Sequence, residues 1–587
     1  MRTEDISKLM KDNISEYSRY VAQERAIPAL CDGMKPSQRR SLLTGYDLRL
    51  FHDKRFMKAA KIEGDVVGNY HPHGGVSLAG LIQPFTIRYP IFEGQGNWGS
   101  PDMPGSYAAS RYTEAKLTEF AEKFYLESVD YADREDNYDG RLKEVTQFYP
   151  PLPGCMITGA MGIAIGLSTK LPTHNIGDLG KSLKAYLQGK KSYMDIIPDT
   201  CEESIILTPR SDIRKLYETG TGSITYKAKT HYETVDGKYA LVVDAYPPGY
   251  NKNRLNTASI LEAAESGKLE LINESKDTIR YVFLSSDMDV LEEIESRLTN
   301  SVGYNLYIEH KGVVKKYSLK EIYDSFVSER SGYVVRKYTD LHERLSKEVS
   351  YLDILVRFKE DRDYIKGMFD KTSQEVVNDI ISKYGTTSEI ANRIISTSIR
   401  SLLADNVSQI LIKMEDYMKK MEAYKRYVDD PITKIIEDID DIISFMKGDK
   451  RRAIHVDDIK DEFKIPYRGK SLTIKSSEMY YLGSKDNTIK VVKGSEIKSL
   501  DDSQSICQCG YDYYVLTDGY GICGMTREAF EAGNKFKSGE LSDIIGTNVL
   551  KAVSYKADGK VRYLDDWCLR KRSSYIKLSD NQVSFGS

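Results

Sequence analysis

From about Leu319 to Met446 apolar residues recur at three- and four-residue steps in three successive stretches. Tyr338, Leu341, Leu345, Val349, Leu352 and Val356 form one stripe. Val407, Ile410, Leu411, Met414, Met418 and Met421 form a second. After Pro431, Ile432, Ile435, Ile439, Ile442 and Met446 form a third. Such steps place side chains on one face of a helix. Helices this long cannot cover their own stripes, so the segment predicts a long antiparallel coiled coil. Shorter helical segments around the GTTSE turn, within residues 365–400, predict a small globule at its tip. An arm of this kind excludes a single compact globule, and 587 residues leave room for roughly four units.

The rest of the chain divides around that arm into a multidomain α+β protein. Residues 1–148 mix short helices with Gly/Pro-punctuated loops. Pro36 opens a helix to about Tyr46, with Leu42, Leu43 and Tyr46 on one face. A second helix is expected from Gly74 to Gln83, closed by Pro84. Two short helices separated by a basic loop read as a helix-turn-helix arrangement. Residues 149–320 alternate strand-like runs such as SIILTP and YALVVDAYP with helical ones, an α/β unit. The arm occupies 321–450. Residues 455–587 are β-rich, with hairpins expected at Asp518-Gly519, at Asp558-Gly559 and within MYYLGSKDNTIKVV.

No apolar run approaches the ~18 residues a membrane span needs. The N-terminus is charged and lacks the apolar stretch of a signal peptide, and seven cysteines in 587 residues suit a reducing compartment. A cytoplasmic location is therefore expected. The net charge of −3 argues globally against a nucleic-acid binder. Locally it does not. Lys35, Arg39, Arg40, Arg49, Lys54, Arg55, Lys58 and Lys61 face only Asp47 and Asp53 over one short segment, enough to engage phosphates. Arg39 lies on the helical side of Leu42 and is partly structural. Arg40 points away and is the better phosphate ligand.

Further motifs follow this basic segment. Tyr70-His71-Pro72-His73-Gly74 is expected at a helix N-terminus, where free N–H groups favour an anion. Gly94-Gln95-Gly96-Asn97-Trp98-Gly99-Ser100 lets backbone approach closely. The Gly-Lys-Ser triplets at 180–182 and 469–471 lack the glycine of a phosphate-binding loop (Asn175 and Lys464 stand there), so no nucleotide site is expected in this chain. Ala109-Ser110-Arg111-Tyr112-Thr113-Glu114 offers a tyrosine nucleophile beside a cation. A phenol of pKa near ~10 needs such help to attack phosphate. Arg111 can stabilise charge on the phosphoryl transition state. Asp287-x-Asp289 reads as a helix N-cap rather than a metal site. Cys507, Cys509, Cys523 and Cys568 read as strand cysteines rather than zinc ligands.

Together, ERAIPALCDGMKPSQRR (24–40), YHPHG (70–74), GQGNWGS (94–100) and ASRYTEAKL (109–117) resemble the breakage-reunion A subunit of type IIA DNA topoisomerases, the gyrase A/topoisomerase IV A family. GAMGIAIGLSTKLPTHN (159–175), YETGTGSITYKA (217–228) and YNKNRL (250–255) extend the resemblance over about residues 15–450. The resemblance implies a winged-helix DNA-cleavage domain (1–148), a tower (149–320), a coiled-coil arm with a dimerisation globule near 365–400, and a β-rich C-terminal domain. It implies that Tyr112 attacks a DNA phosphodiester and stays linked to the 5′-phosphate, with Arg111 and Arg25 assisting the transition state. His73 is implied in proton transfer at the leaving oxygen, supported by His71. Lys35, Arg39 and Arg40 are implied as phosphate contacts, and Ile163 as an apolar wedge between base pairs. Mg²⁺ and ATP are implied to be held by a separate B-type subunit, giving an A2B2 assembly around an A homodimer acting on double-stranded DNA.

Some positions depart from the family pattern. Gly75, Val76 and Gly80 stand where Asp-Ser and an acidic residue are usual, which predicts weak quinolone sensitivity. Cys31 and Gln38 replace common Arg and His. The C-terminal part is shorter than a six-bladed wrapping domain, and no glutamine–arginine–glycine box is present. Relaxation or decatenation is therefore expected over negative supercoiling. The same departures are similar to those of phage-encoded members. A gyrase A subunit with true supercoiling, a non-catalytic DNA-architectural scaffold and a tyrosine nuclease without strand passage are the alternatives.

Overall fold

The computed structural model describes residues 16–72, 76–235, 237–368, 370–397 and 407–458, together with strands between 480 and 585. The chain forms two units, Met1–Val456 and Asp457–Ser587.

In the first unit, Pro36 opens a helix to Asp47. Its Leu42 and Leu43 are buried, and the Gln38 side chain accepts the Lys35 N–H at 3.0 Å. The second helix is Ala59–Asn69, not Gly74–Gln83. The latter region yields only a four-residue turn of helix, Ala79–Ile82. Ile62 and Val66 supply the buried side of the Ala59 helix, a stripe too short to stand out within the basic segment. A three-stranded antiparallel sheet packs with these helices: Met57–Lys58, Glu114–Leu117 and Phe92–Gln95, the Glu114 strand central. Gly45 lies so close to Leu117 and Phe92 that a Cβ there would approach Leu117 Cδ2 to 2.9 Å.

The region expected as the tower is built on one large sheet. In spatial order its strands are Leu269–Asn273, Tyr281–Ser285, Lys238–Ala245, Thr221–Val235, Thr299–Asn305, Leu167–Lys170 and Met161–Ala164. The 15-residue strand Thr221–Val235 serves two sets of partners. Its first half pairs with Thr299–Asn305 and Ser204–Ile206, its second half with Lys238–Ala245. The second half carries a separate core of Leu241, Val243, Phe283, Leu291 and Ile294. Asp287 caps the helix Met288–Arg297, its carboxylate accepting the Asp289 N–H at 3.0 Å, as expected for an N-cap.

The arm leaves the tower as a 42-residue helix, Leu319–Glu360, whose start is closed by a Ser318/Glu321 capping box. Short helices Arg362–Gly367, Ser373–Tyr384 and Ser388–Ile395 form the distal globule, with Val376, Val377, Ile380 and Ile394 buried against Leu352, Leu355 and Phe358. Within GTTSE, Gly385 (φ +63°) ends one helix in the left-handed region and Thr387 caps the next. The return helix is Val407–Asp429. It turns Ile410, Met414 and Tyr417 toward the globule core and leaves Leu411 and Met418 exposed, so the apolar stripe is narrower than the sequence pattern.

The third stretch, Pro431–Phe445, is not part of a free arm. Its Ile435, Ile439 and Ile442 join the main core, and it packs on the tower helix Ile176–Leu187. A Cβ on Gly180 would approach Ile443 Cδ1 to 2.6 Å, so the glycine of the first Gly-Lys-Ser triplet serves a helix crossing. The chain then runs Ala453–His455 parallel to Ser204–Ile206, so the large sheet takes in a strand beyond the arm's expected end at 450. Buried Arg88 fastens this return. It donates to Asp199 at 2.9 Å and Asp449 at 2.8 Å, while Asp199 also accepts the Arg452 and Ala453 N–H groups. Among the described residues no helix is long and apolar enough to cross a membrane.

The second unit contains the expected hairpins. Tyr513–Thr517 pairs with Ile522–Thr526, Ala552–Tyr555 with Val561–Leu564, and Tyr480–Lys485 with Thr488–Lys493, all antiparallel. Cys507 and Cys509 fall on Ile506–Cys509 and Cys523 on Ile522–Thr526. Cys568 lies outside the described residues, as does the triplet at 469–471.

Candidate active site

Tyr112 sits on the turn that feeds the central strand Glu114–Leu117 of the small sheet. It is 65% exposed. The Arg111 guanidinium lies 4.7 Å from its ring centroid, a cation–π placement that also sets a positive charge beside the phenol. Three devices hold the turn. Tyr112 N–H donates to Ala109 O at 2.8 Å. The first N–H groups of the Ala59–Asn69 helix donate to Thr113 O (3.0 Å, from Ala59) and Ser110 O (3.1 Å, from Ala60). The glycine-rich loop passes alongside, with Ala108 N–H donating to Asn97 O. Gly96 is at φ +100°, a conformation other residues rarely adopt, and a Cβ on Gly99 would meet the Pro104 carbonyl oxygen at 2.8 Å. The glycines thus allow two backbones to run side by side, as the motif predicts.

The basic helix carries a more committed set of charges than its sequence suggests. Arg39 is buried and donates to Asp32 through Nε (2.7 Å) and Nη2 (3.0 Å). A guanidinium sealed against a fully buried carboxylate serves the fold, in keeping with the partly structural reading of Arg39. Arg40 forms a two-point pair with Glu144 (2.5 and 3.0 Å) and donates through Nη1 to His71 Nδ1 at 3.1 Å. In the neutral ring that bond places the His71 proton on Nε2. Lys35 donates through Nζ to Met161 O at 2.7 Å, and partial burial lowers its pKa.

Ile163 stands on the hairpin Met161–Ala164/Leu167–Lys170, whose residues alternate out and in. Met161, Ile163 and Ile165 are 61%, 76% and 53% exposed. Three large apolar side chains on one edge of a two-stranded ribbon is unusual for a surface. The period-two pattern in GAMGIAIG already carries Met161 and Ile165, which motif matching alone passed over. Arg25 is exposed on the short helical segment Ala22–Ala26, which lies against this ribbon. Gly162 makes that approach possible, since a Cβ there would meet Ala26 O at 2.0 Å.

The candidate residues thus fall into groups. Arg25, Lys35 and Ile163 gather around the ribbon. Arg111 and Tyr112 sit at the start of the Ala59–Asn69 helix, and His71 follows its end. An 11-residue helix is roughly 16 Å long, so His71 and Tyr112 are not neighbours in one chain. His71 also follows a helix C-terminus, which overturns the expectation that it begins a helix. His73 lies outside the described residues. Among the described residues no group of three or more His, Cys, Asp or Glu is arranged to hold a metal ion.

Fully buried His174 ties two of the sequence motifs together. Its Nδ1–H donates to Met156 O at 2.8 Å and its Nε2 accepts the Tyr217 hydroxyl at 2.6 Å. Burial pushes its pKa down to about 4.

A family profile for the A subunit of DNA gyrase/topoisomerase IV matches residues 25–443. The chain belongs to this family. It is 32% identical over 416 residues to the A subunit of DNA topoisomerase 4 from Salmonella typhimurium, covering 66% of this chain and 54% of that protein. It is equally similar to the Escherichia coli K12 protein of the same name. To the A subunit of DNA gyrase from Clostridium acetobutylicum it is 30% identical over 479 residues, covering 76% of this chain and 57% of that protein. The chain spans about half the length of the curated relatives it matches. The matched region of this gyrase/topoisomerase IV A-family chain takes in the Tyr112 turn, the ribbon and nearly all of the arm.

Proposed function

We propose that the chain is the DNA-cleaving and rejoining subunit of a type IIA topoisomerase. Tyr112 Oη attacks a backbone phosphorus of duplex DNA, the bond to the 3′-oxygen breaks, and a 5′-phosphotyrosyl link forms. Rejoining is the reverse. One phosphodiester is exchanged for another, so cleavage itself needs no ATP. Two copies acting on opposite strands make a staggered double-strand break, through which a second duplex passes. The observation that carries this reading is the exposed Tyr112, held by the backbone of a fixed turn under the Arg111 guanidinium.

Arg111 neutralises charge building on the phosphoryl oxygens, with Arg25 as a second cation. His73, supported by His71, exchanges the proton of the leaving oxygen. Lys35 and Arg40 meet phosphates. Ile163, flanked by Met161 and Ile165, enters between base pairs, a step that costs a few kcal/mol of unstacking and is offset by contacts to the bent duplex. A Mg²⁺ held by a B-type subunit would supply charge stabilisation at the leaving oxygen. ATP is bound by the same partner. The chain acts as a homodimer within an A2B2 assembly, and the exposed Leu411, Ile412 and Met418 of the arm suit a contact between copies. Relaxation or decatenation is the preferred reaction, since no glutamine–arginine–glycine box is present in the sequence.

The test mixes the chain, a B-type subunit, Mg²⁺, ATP and supercoiled plasmid, then adds detergent. Linear DNA attached to protein through Tyr112 is expected. Cleavage and relaxation by Tyr112→Phe at the parental rate would sink the proposal.

A further inference from the structure

We propose that Lys252 and Tyr281, on the tower, position the Tyr112 loop by clamping Asp102. The proposal rests on the reading of Tyr112 as the nucleophile.

Residues 103–107 between the glycine-rich loop and the Ala109 turn are exposed, yet the Asp102 side chain at their start is only 12% exposed. Its Oδ1 accepts the Tyr281 hydroxyl at 2.6 Å and also the Lys252 ammonium. Its Oδ2 accepts Asn273 Nδ2 at 3.1 Å. Lys252 in turn donates to the Tyr281 oxygen at 3.0 Å and lies over the Tyr246 and Tyr281 rings. Tyr281 and Asn273 stand on the two outermost strands at one end of the tower sheet. Lys252 belongs to YNKNRL, a motif the cleavage chemistry does not use. On the other side of the loop, the Gln83 side chain donates to Trp98 O (2.6 Å) and Pro104 O (2.8 Å). The segment leading to Tyr112 is therefore gripped from two sides, and the tower grip is made by side chains more than a hundred residues away in sequence. Lys252 and Asp102 perturb each other as a formed ion pair should, the lysine held up and the carboxyl held down.

Charge-assisted hydrogen bonds are directional and hold a loop against its own entropy. A nucleophile displaced by about 1 Å loses on the order of 100-fold in rate. The clamp makes no contact with Tyr112, so these are positioning residues. Because the tower holds the loop, a tower displaced by bent DNA moves the nucleophile with it.

The experiment uses the full chain with its B-type subunit. Tyr281→Phe, Asp102→Asn, Lys252→Met and Lys252→Arg are compared with Tyr112→Phe for the rate of covalent complex formation and, separately, for affinity toward a DNA duplex. Tyr281→Phe deletes one oxygen and leaves charge and ring intact, so it guards against misfolding. Tyr281→Phe, Asp102→Asn and Lys252→Met are expected to slow cleavage on the order of 10- to 100-fold at nearly unchanged DNA affinity, with Lys252→Arg recovering part of the loss. If Tyr112→Phe is dead while all three cleave at the parental rate, or slow only in proportion to lost affinity, the clamp is overturned. If Tyr112→Phe cleaves normally, the nucleophile assignment itself fails.

Discussion

Replacing Arg39 by Ala tests whether this residue builds the fold or touches DNA. Asp32 is fully buried and collects four donors: Arg39 Nε and Nη2, the Met34 N–H at 2.9 Å and the Phe148 N–H at 3.1 Å. Removing the guanidinium leaves a buried carboxylate with two backbone donors and no counter-charge. Breaking one side of a buried pair costs about 3–5 kcal/mol. Removing both charges costs less, so Asp32→Asn/Arg39→Met is expected to be more stable than Arg39→Ala, although two positions are changed. Trp98 is buried in the same unit and reports its unfolding. Urea titration of the full chain, in a background with Trp567→Phe, therefore follows the loss locally. For DNA binding, the slope of log affinity against log salt is expected to stay at the parental value. A phosphate contact instead lowers that slope by about one. Parental stability combined with a reduced slope would refute the structural role and return Arg39 to the DNA contacts.

Two further outcomes follow from the buried histidine and the apolar ribbon. His174 has its pKa lowered from 6.5 to about 4, so below pH 6.5 the unfolded chain binds the extra proton before the folded one does. Stability from this group is complete above pH 6.5 and falls by about 3 kcal/mol as pH drops to 4; His174→Gln flattens that part of the urea-stability profile, and an unchanged profile contradicts the assignment. Ile163→Ala, at a site 76% exposed, is expected to leave stability within about 0.5 kcal/mol of the parent while reducing the DNA bend reported by end-labelled fluorescence transfer. An unchanged bend removes Ile163 as the wedge.

The sequence reading succeeded where local chemistry decides structure. Pro36, GTTSE and the Asp-Gly hairpins each specify their own backbone, and all lie where expected. It failed where distant groups decide. The charge run cannot show that Arg39 faces Asp32, because that pocket is completed by the Phe148 N–H far along the chain. The third arm stripe looked like its neighbours, but its partner is the Ile176–Leu187 helix, admitted by Gly180. Tyr112 and Ile163 were legible as motifs. The Asp102 clamp was not, since nothing local links a loop aspartate to a lysine on another domain.

The 42-residue helix Leu319–Glu360 has a mechanical meaning beyond its packing. At about 1.5 Å per residue it is roughly 60 Å long. Its base is bolted to the body by Arg330, paired with Asp438 of the Pro431–Phe445 helix, and by Tyr131, whose hydroxyl meets Asp340. Its far end carries the distal globule. Beyond Asp340 the helix runs roughly 30 Å to its end, so a rotation of about ten degrees there sweeps the globule through about 5 Å. The helix is a lever: a small shift of the side chains around Arg330 becomes a larger displacement of the globule at its far end.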